Sequence, residues 1–179
     1  MRFLIILILV ISFINPFAQT IDNLHALEVC YERSRLSEYD HAPVTGTAPE
    51  ISAATWFNTN LEKVTLENLR GNIVVVEFWA NWCPHCLDFI PHLTSLEKKY
   101  REDEVVIIGL TNENHQQAGI SQLIEKMDIN YIIGTESDTA RNYGVTGIPV
   151  SFIVDSEGQI VWNGHPINLD ETLTKMLSK

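Results

Sequence analysis

The chain has 179 residues, 45% of them hydrophobic and 20% charged, a balance that fits one globular domain and excludes a disordered chain. Its 12 Lys and Arg stand against 23 Asp and Glu, a formal charge of −11 with His neutral. A surface of that sign repels phosphate backbones and argues against nucleic acid as a partner.

Residues 1–19 begin with Arg2 and an apolar run from Phe3 to Ile14 broken only by Ser12, followed by Asn15, Pro16 and the small or polar Ala18, Gln19 and Thr20. The run is short against the roughly 20 residues of a membrane span. One positive charge, an apolar centre and a small residue at the end form the pattern of a secretory signal. An uncleaved membrane anchor and a buried core helix are the alternatives. With no cysteine at the expected cut, a bacterial lipoprotein anchor does not fit. The expectation is export, to the periplasm in a Gram-negative bacterium, or membrane anchoring if the signal stays. Without residues 1–19 the charge is −12, from 11 basic and 23 acidic residues.

Residues 20–45 form an N-terminal extension, in which Leu24, Leu27 and Tyr31 recur at loosely helical spacing within 20–42. Ala42 to Glu50, "APVTGTAPE", is read as a linker. The main domain is placed at 46–179. Ile51 to Asn58 is an edge strand or hairpin and Leu66 to Leu69 a helical turn. Ile73 to Trp79 is a near-continuous, valine-rich run, the pattern of a central strand covered on both faces. From Pro84 the period changes: Phe89, Leu93, Leu96 and Tyr100 mark one face of a helix, kinked at Pro91. Strands follow at Val105 to Leu110 and Tyr131 to Ile133, with a helix over 115–128 and a helical turn from Thr139 to Tyr143. A hairpin joins Val150–Val154 to Ile160–Asn163, and a helix closes the chain over Leu169 to Leu177. Strands alternating with helices predict an α/β fold.

The chemistry is concentrated in "VVVEFWANWCPHC", Val74 to Cys86. Cys83 falls at or beside the N-cap of the helix, and Pro84 takes the first helical position, where its missing N–H costs nothing. Free N–H groups and the partial positive charge of a helix N-terminus stabilise a thiolate; in such settings thiol pKa values fall to roughly 3.5–7.5. Cys86, three residues on, shares that face but lies one turn inward. Cys83 is therefore the expected attacking sulfur, accessible to solvent, and Cys86 the less exposed resolving one. His85, placed between the two sulfurs, favours the Cys83 thiolate and makes the pair more oxidising; a solvent-exposed surface histidine is the alternative. Trp82, Pro84 and His85, the neighbours of the two cysteines, are the expected tuning residues.

Rival uses of the pair are a zinc half-site and a structural disulfide. A zinc site needs two more ligands; there is no second CxxC, and Cys30 and the histidines His25, His41, His92, His115 and His165 show no ligand spacing. No metal and no cofactor are assigned. Glu77, six residues before Cys83, is expected to point beneath the cysteines. A lone buried carboxyl tends to keep its proton, and there it can take or give the proton of Cys86. The alternative is a solvent-facing Glu77 at a sheet edge. Further on, "TGIPVSF" puts Pro149 just before a strand, a candidate cis peptide after Ile148. Ile148 and Pro149 are the expected substrate-binding residues.

"VEFWANWCPHC" resembles the active-site segment of thioredoxin-fold proteins, and "GIPV" is similar to their cis-proline loop. Glu77, Cys83, Cys86, Pro91 and Pro149 each fall on a position of that pattern. The roughly 20 extra residues between Cys86 and the Pro149 loop, with "GTAPE", "DSEGQIVW" and "GHPINL", resemble the exported TlpA/ResA-like branch over about Gly46 to Lys179. The resemblance implies an α/β thioredoxin fold: a central mixed sheet with helices on both faces, an extra strand–helix insertion and an N-terminal extension. It implies thiol–disulfide exchange with protein thiols and disulfides outside the cytosol, by a monomer with a redox partner protein that is itself membrane-bound in one version. The "PH" between the cysteines is similar to that of the oxidant DsbA. ResA-type reductants carry an acid three residues after the second cysteine, where this chain has Phe89. Both directions of electron flow are therefore open. Cys30 has no counterpart in the pattern. A thioredoxin-fold metal carrier or binding module using the same thiols is the alternative function, and peroxide reduction ranks last for lack of a cysteine in the usual peroxidase loop.

Overall fold

The structure, a computed structural model, describes residues 44–178. The expected signal, the helix expected within 20–42 and Cys30 lie outside the described residues. Among the described residues no helix is long and apolar enough to cross a membrane.

The described residues form one sheet of seven strands: β1 (Gly46–Thr47), β2 (Thr55–Phe57), β3 (Ile73–Phe78), β4 (Val105–Leu110), β5 (Ile132–Thr135), β6 (Val150–Val154) and β7 (Gln159–Gly164). Their order across the sheet is β1-β7-β6-β3-β4-β5-β2. β3 lies parallel to β4 and antiparallel to β6, β4 lies parallel to β5, and the remaining pairs are antiparallel. The helices are α1 (Pro84–Tyr100), α2 (Ile120–Lys126), α3 (Thr139–Asn142) and α4 (Leu169–Leu177), with a 3-10 turn at Pro166–Asn168 before α4.

The apolar run of β3 is continuous because both faces are covered. Val75 and Trp79 pack with Ile90, Leu93 and Leu96 of α1 and with Leu169 and Leu173 of α4. Val74, Val76 and Phe78 pack on the other face with Ile51, Val64, Leu66 and Tyr143. Alternation along the strand therefore turns Glu77 toward α1. On the opposite face the rings of Phe78, Tyr143 and Phe152 meet edge-on or tilted, with centroids 5.0–5.7 Å apart. Helices do cover both faces, but unequally: α1, α2 and α4 share one, while the other has the four-residue α3 and the segment from Ile51 to Leu69.

Several elements differ from the sequence expectation. The linker includes a strand, since Gly46 and Thr47 pair with Ile160 and Gln159 of β7. Val44 N–H also donates to Asn163 Oδ1 at 2.9 Å. Leu66 to Leu69 is a hydrogen-bonded turn, closed by Leu69 N–H to Leu66 O at 3.2 Å, and does not extend to a helix. The helix expected over 115–128 is regular only from Ile120 to Lys126, because Gly119 enters at φ 64°, in the left-handed region that suits glycine. Pro91 lies inside α1 as expected, with its side chain toward solvent, and its missing N–H leaves the Leu87 carbonyl without its helical donor.

The β2–β5 edge leaves no room at Gly134. A Cβ there would lie 2.6 Å from Trp56 Cζ3, 2.7 Å from Leu110 Cδ2 and 2.9 Å from Ala53 Cβ. Overpacking of this kind costs about 1–3 kcal/mol. Gly134→Ala should lower the unfolding free energy by that amount in chemical denaturation. An unchanged midpoint would show that the edge is loosely packed.

Candidate active site

The turn from β3 into α1 builds the site. Cys83 is the N-cap, extended at φ −95° and ψ 100°, and its Sγ accepts a hydrogen bond from the Cys86 N–H at 3.2 Å. Pro84 occupies the first turn, which holds no acidic residue to offset the positive helix end. Cys83 N–H donates to Ala80 O at 3.1 Å, closing the turn. The preceding loop is clamped from outside: Asn81 N–H donates to Glu113 Oε2 at 2.6 Å and the Asn81 amide to Ala118 O at 2.7 Å. Thr111 Oγ1 donates to the same Glu113 oxygen at 3.0 Å. The insertion between β4 and β5 thus holds a residue two before Cys83.

Cys83 and Cys86 form a disulfide, with Cα atoms 5.3 Å apart. Cys83 is 5% exposed and Cys86 3%. The expectation of an open outer sulfur is corrected: in this disulfide-bonded state Cys83 is buried with Cys86 in the core cluster that includes Trp79, Ala80 and Ile90. Trp82 takes the exposed place instead, at 70%. His85 also points outward, with Nδ1 3.9 Å from Asp88 Oδ2 and both side chains more than half exposed.

Glu77 is 2% exposed in the middle of the sheet, which removes the edge alternative. Ser151 Oγ donates to Glu77 Oε2, across the β3–β6 register that pairs the two residues. Burial pushes the Glu77 carboxyl up to about 8, against the smaller opposing effect of the Ser151 hydrogen bond. Burial first, and the Glu77 charge second, also push the Tyr131 phenol up. A Cβ at Gly109, the β4 partner of Glu77, would lie 3.1 Å from Trp79 Nε1 and 3.2 Å from Tyr131 Cε2, so glycine there makes room for both rings.

The Ile148–Pro149 peptide is cis. Ile148, Gly147, Trp82, Thr111, Ser137 and Arg141 contribute to the lining of a cleft of about 630 Å³. Phe89, at the position of the missing acid, is buried and meets the His165 ring edge-on at 4.7 Å. Burial, with the His85 and His92 charges, brings His165 down to about 4. Burial also lowers His92, with Asp170 opposing. The structure therefore gathers His92 and His165 around Phe89, a grouping that their sequence spacing hides. Among the described residues no group of three or more His, Cys, Asp or Glu side chains is placed to hold a metal ion.

Sequence reasoning missed Ser151, Asn81 and Glu113. The signal for Ser151 was present: it is the lone polar residue in "VSFIV", and it falls on the α1 face. Glu113 carries no such signal, since its partner lies 32 residues away.

A mixed sheet with a cysteine pair capping the helix that follows its central strand defines a thioredoxin-like protein. A family model described as the AhpC/TSA family matches residues 44–163, more than half of the chain, and the protein belongs to that family. Among its relatives, the thiol-disulfide oxidoreductase ResA of Bacillus thuringiensis subsp. konkukian (strain 97-27) is 27% identical over 125 residues, which cover 68% of this chain and 72% of that protein. The thioredoxin domain of a thiol-disulfide oxidoreductase from Bacteroides vulgatus superposes with a TM-score of 0.65 at 23% identity, covering 74% of this chain and 96% of that one. A putative thiol:disulfide interchange protein DsbE from Chlorobium tepidum gives a TM-score of 0.63 at 20% identity, covering 73% and 95%. These two likenesses establish the fold.

The buried carboxyl links stability to pH. Its folded value of about 8 lies above the ordinary 4.5, so between them the folded state holds a proton that the unfolded state has lost. The Glu77 contribution is complete below pH 4.5 and is lost as pH rises toward 8. Denaturant unfolding of the wild type should weaken across that window, with a limiting slope of about 1.4 kcal/mol per pH unit from this group. Glu77→Gln should flatten that slope; an identical slope in the variant would place the effect elsewhere.

Proposed function

We propose that this protein exchanges disulfides with exported proteins through Cys83 and Cys86, as a thiol–disulfide oxidoreductase. The observation that carries the reading is the disulfide at the start of α1, with Cys83 as N-cap and Cys86 one turn inside. Membership of the AhpC/TSA family and relatives named thiol-disulfide oxidoreductase support it.

In the reducing direction, the Cys83 thiolate attacks one sulfur of a substrate disulfide. The new Cys83–substrate bond forms, and the other substrate sulfur leaves as a thiolate that takes a proton from water. Cys86 then loses its proton to Glu77 and attacks Cys83, releasing the second substrate thiol and restoring the disulfide. Oxidation of substrate thiols is the reverse, with the protonated Glu77 returning its proton to the Cys86 thiolate. A carboxyl near 8 is well suited to both steps, since both of its forms are populated near neutral pH.

The electrons are held by the sulfur pair, and no cofactor enters the cycle. Trp82, Pro84 and His85 tune the pair; a protonated His85 adds positive charge beside the helix end. Ile148, which with Trp82 lines the cleft, and Pro149, which follows it through the cis peptide, are the residues that bind an extended substrate segment. The substrates are protein thiols and disulfides, with a second redox protein completing the cycle, and the working unit is a monomer. The apolar run in 1–19 directs the protein out of the cytosol as a signal, 20–45 serve as an extension, and 46–179 form the catalytic domain.

Reduction of a disulfide-bonded test protein with added dithiol should proceed with the wild type and be abolished in Cys83→Ser. Cys86→Ser should accumulate a covalent complex with the test protein, visible by non-reducing electrophoresis and removed by excess dithiol. Full turnover by Cys83→Ser would overturn the assignment.

A further inference from the structure

Among the residues of β3 only Glu77 is charged, and β6 has only one polar side chain, Ser151. The antiparallel register sets them opposite each other, on the face where Cys86, Ile90 and Leu93 pack. Ser151 is 0% exposed, and among the described residues its hydroxyl bonds to Glu77 alone. An apolar residue would pack this central strand without a polar group to satisfy, so the serine is matched to the carboxyl. The Ser151 donor favours one orientation of the carboxyl. Without it, the carboxyl loses its hydrogen-bond partner for the ionised form.

We propose that Ser151 is a positioning residue for the exchange reaction: it orients the Glu77 carboxyl on the Cys86 side of the sheet and sets the pH at which that carboxyl receives the Cys86 proton. The inference rests on the exchange reading above and names a further residue of the same site. In the affected step the Cys86 S–H gives its proton to the Glu77 carboxylate, and the sulfur electron pair forms the Cys83–Cys86 bond. The Cys83–substrate bond breaks, its electron pair leaves on the substrate sulfur, and that thiolate takes a proton from water. Two electrons pass from the cysteine pair to the substrate disulfide. The titratable groups in the core on this face are Tyr131, at the entry to β5, and Cys83, Cys86 and Tyr100 of α1. The neighbours from β3, β4, β6 and α1 are apolar, among them Val75, Ile107, Ile153 and Ile90. A hydroxyl that bonds the ionised form more strongly than the acid opposes the upward push of burial.

The test mixes reduced protein with a small aromatic disulfide that releases a coloured thiolate at each step. The first phase reports attack by Cys83 and the second reports resolution by Cys86. In Ser151→Ala, and in the volume-filling Ser151→Val, the pH limb of the second phase should move upward and resolution at neutral pH should slow several-fold relative to the first phase. Ser151→Thr, which keeps the donor, should retain the wild-type limb. Infrared titration of the protonated carboxyl band, assigned by its loss in Glu77→Gln, should show the same upward move of its midpoint. An unmoved limb and midpoint in the folded Ala or Val variant would overturn the proposal, as would a Thr variant shifted as far as Ala. Absence of any thiolate release from the wild type would instead overturn the exchange reading, while the infrared midpoint still reports on Ser151.

Discussion

The hydrogen bond from the Cys86 amide to the Cys83 sulfur is the interaction around which this protein is arranged. It exists because β3 ends at a turn closed by Cys83 N–H to Ala80 O, and because Pro84 can start a helix without an N–H. An N-cap bond of the usual kind contributes about 0.5–2 kcal/mol to a helix. Here the capping atom is also the sulfur that the proposed exchange reaction uses as nucleophile. The fold's ordinary need to satisfy the first helical N–H groups therefore positions a sulfur where negative charge is favoured. No acid in the first turn competes with it, although the chain as a whole is strongly acidic.

The second constraint opposes stability. Glu77 sits in the central strand with one hydroxyl for company, and burial outweighs that hydrogen bond, of a kind worth about 1.5–3 kcal/mol to an ionised group. An apolar residue would serve the sheet better. The carboxyl persists on the face shared with the cysteines, where the proposed exchange reaction uses it as the proton acceptor of the inner thiol. The glycine at 109 extends this logic, since the space it leaves lets Trp79 and Tyr131 close over the same region. The insertion between β4 and β5 acts at the other end of the site, where Glu113 and the Ala118 carbonyl hold Asn81 and so fix the approach to Cys83.

Much of this was legible in the sequence wherever the determinant is local. The valine run of β3, the 4-3-4 spacing along α1 and the cysteine spacing each announce an element within a few residues. The resemblance of the segment around Cys83 to thioredoxin-fold proteins added the sheet architecture. Features made by distant pairing were not legible. The two-residue β1 depends on β7, more than a hundred residues away, and composition alone made it a linker. Ser151 gains its meaning only across 74 residues of chain, and Glu113 across 32. The covered sulfur of Cys83 was misjudged for a different reason: a place at a helix N-terminus is local and readable, whereas the core residues that pack over the pair come from several elements.

The central claim is that the helix cap makes Cys83 the reactive sulfur of the pair. Brief alkylation of the reduced protein at neutral pH, followed by peptide mass spectrometry, measures this directly. The account predicts that label appears on Cys83 well ahead of Cys86. Equal labelling of the two cysteines, or Cys86 reacting first, would contradict it.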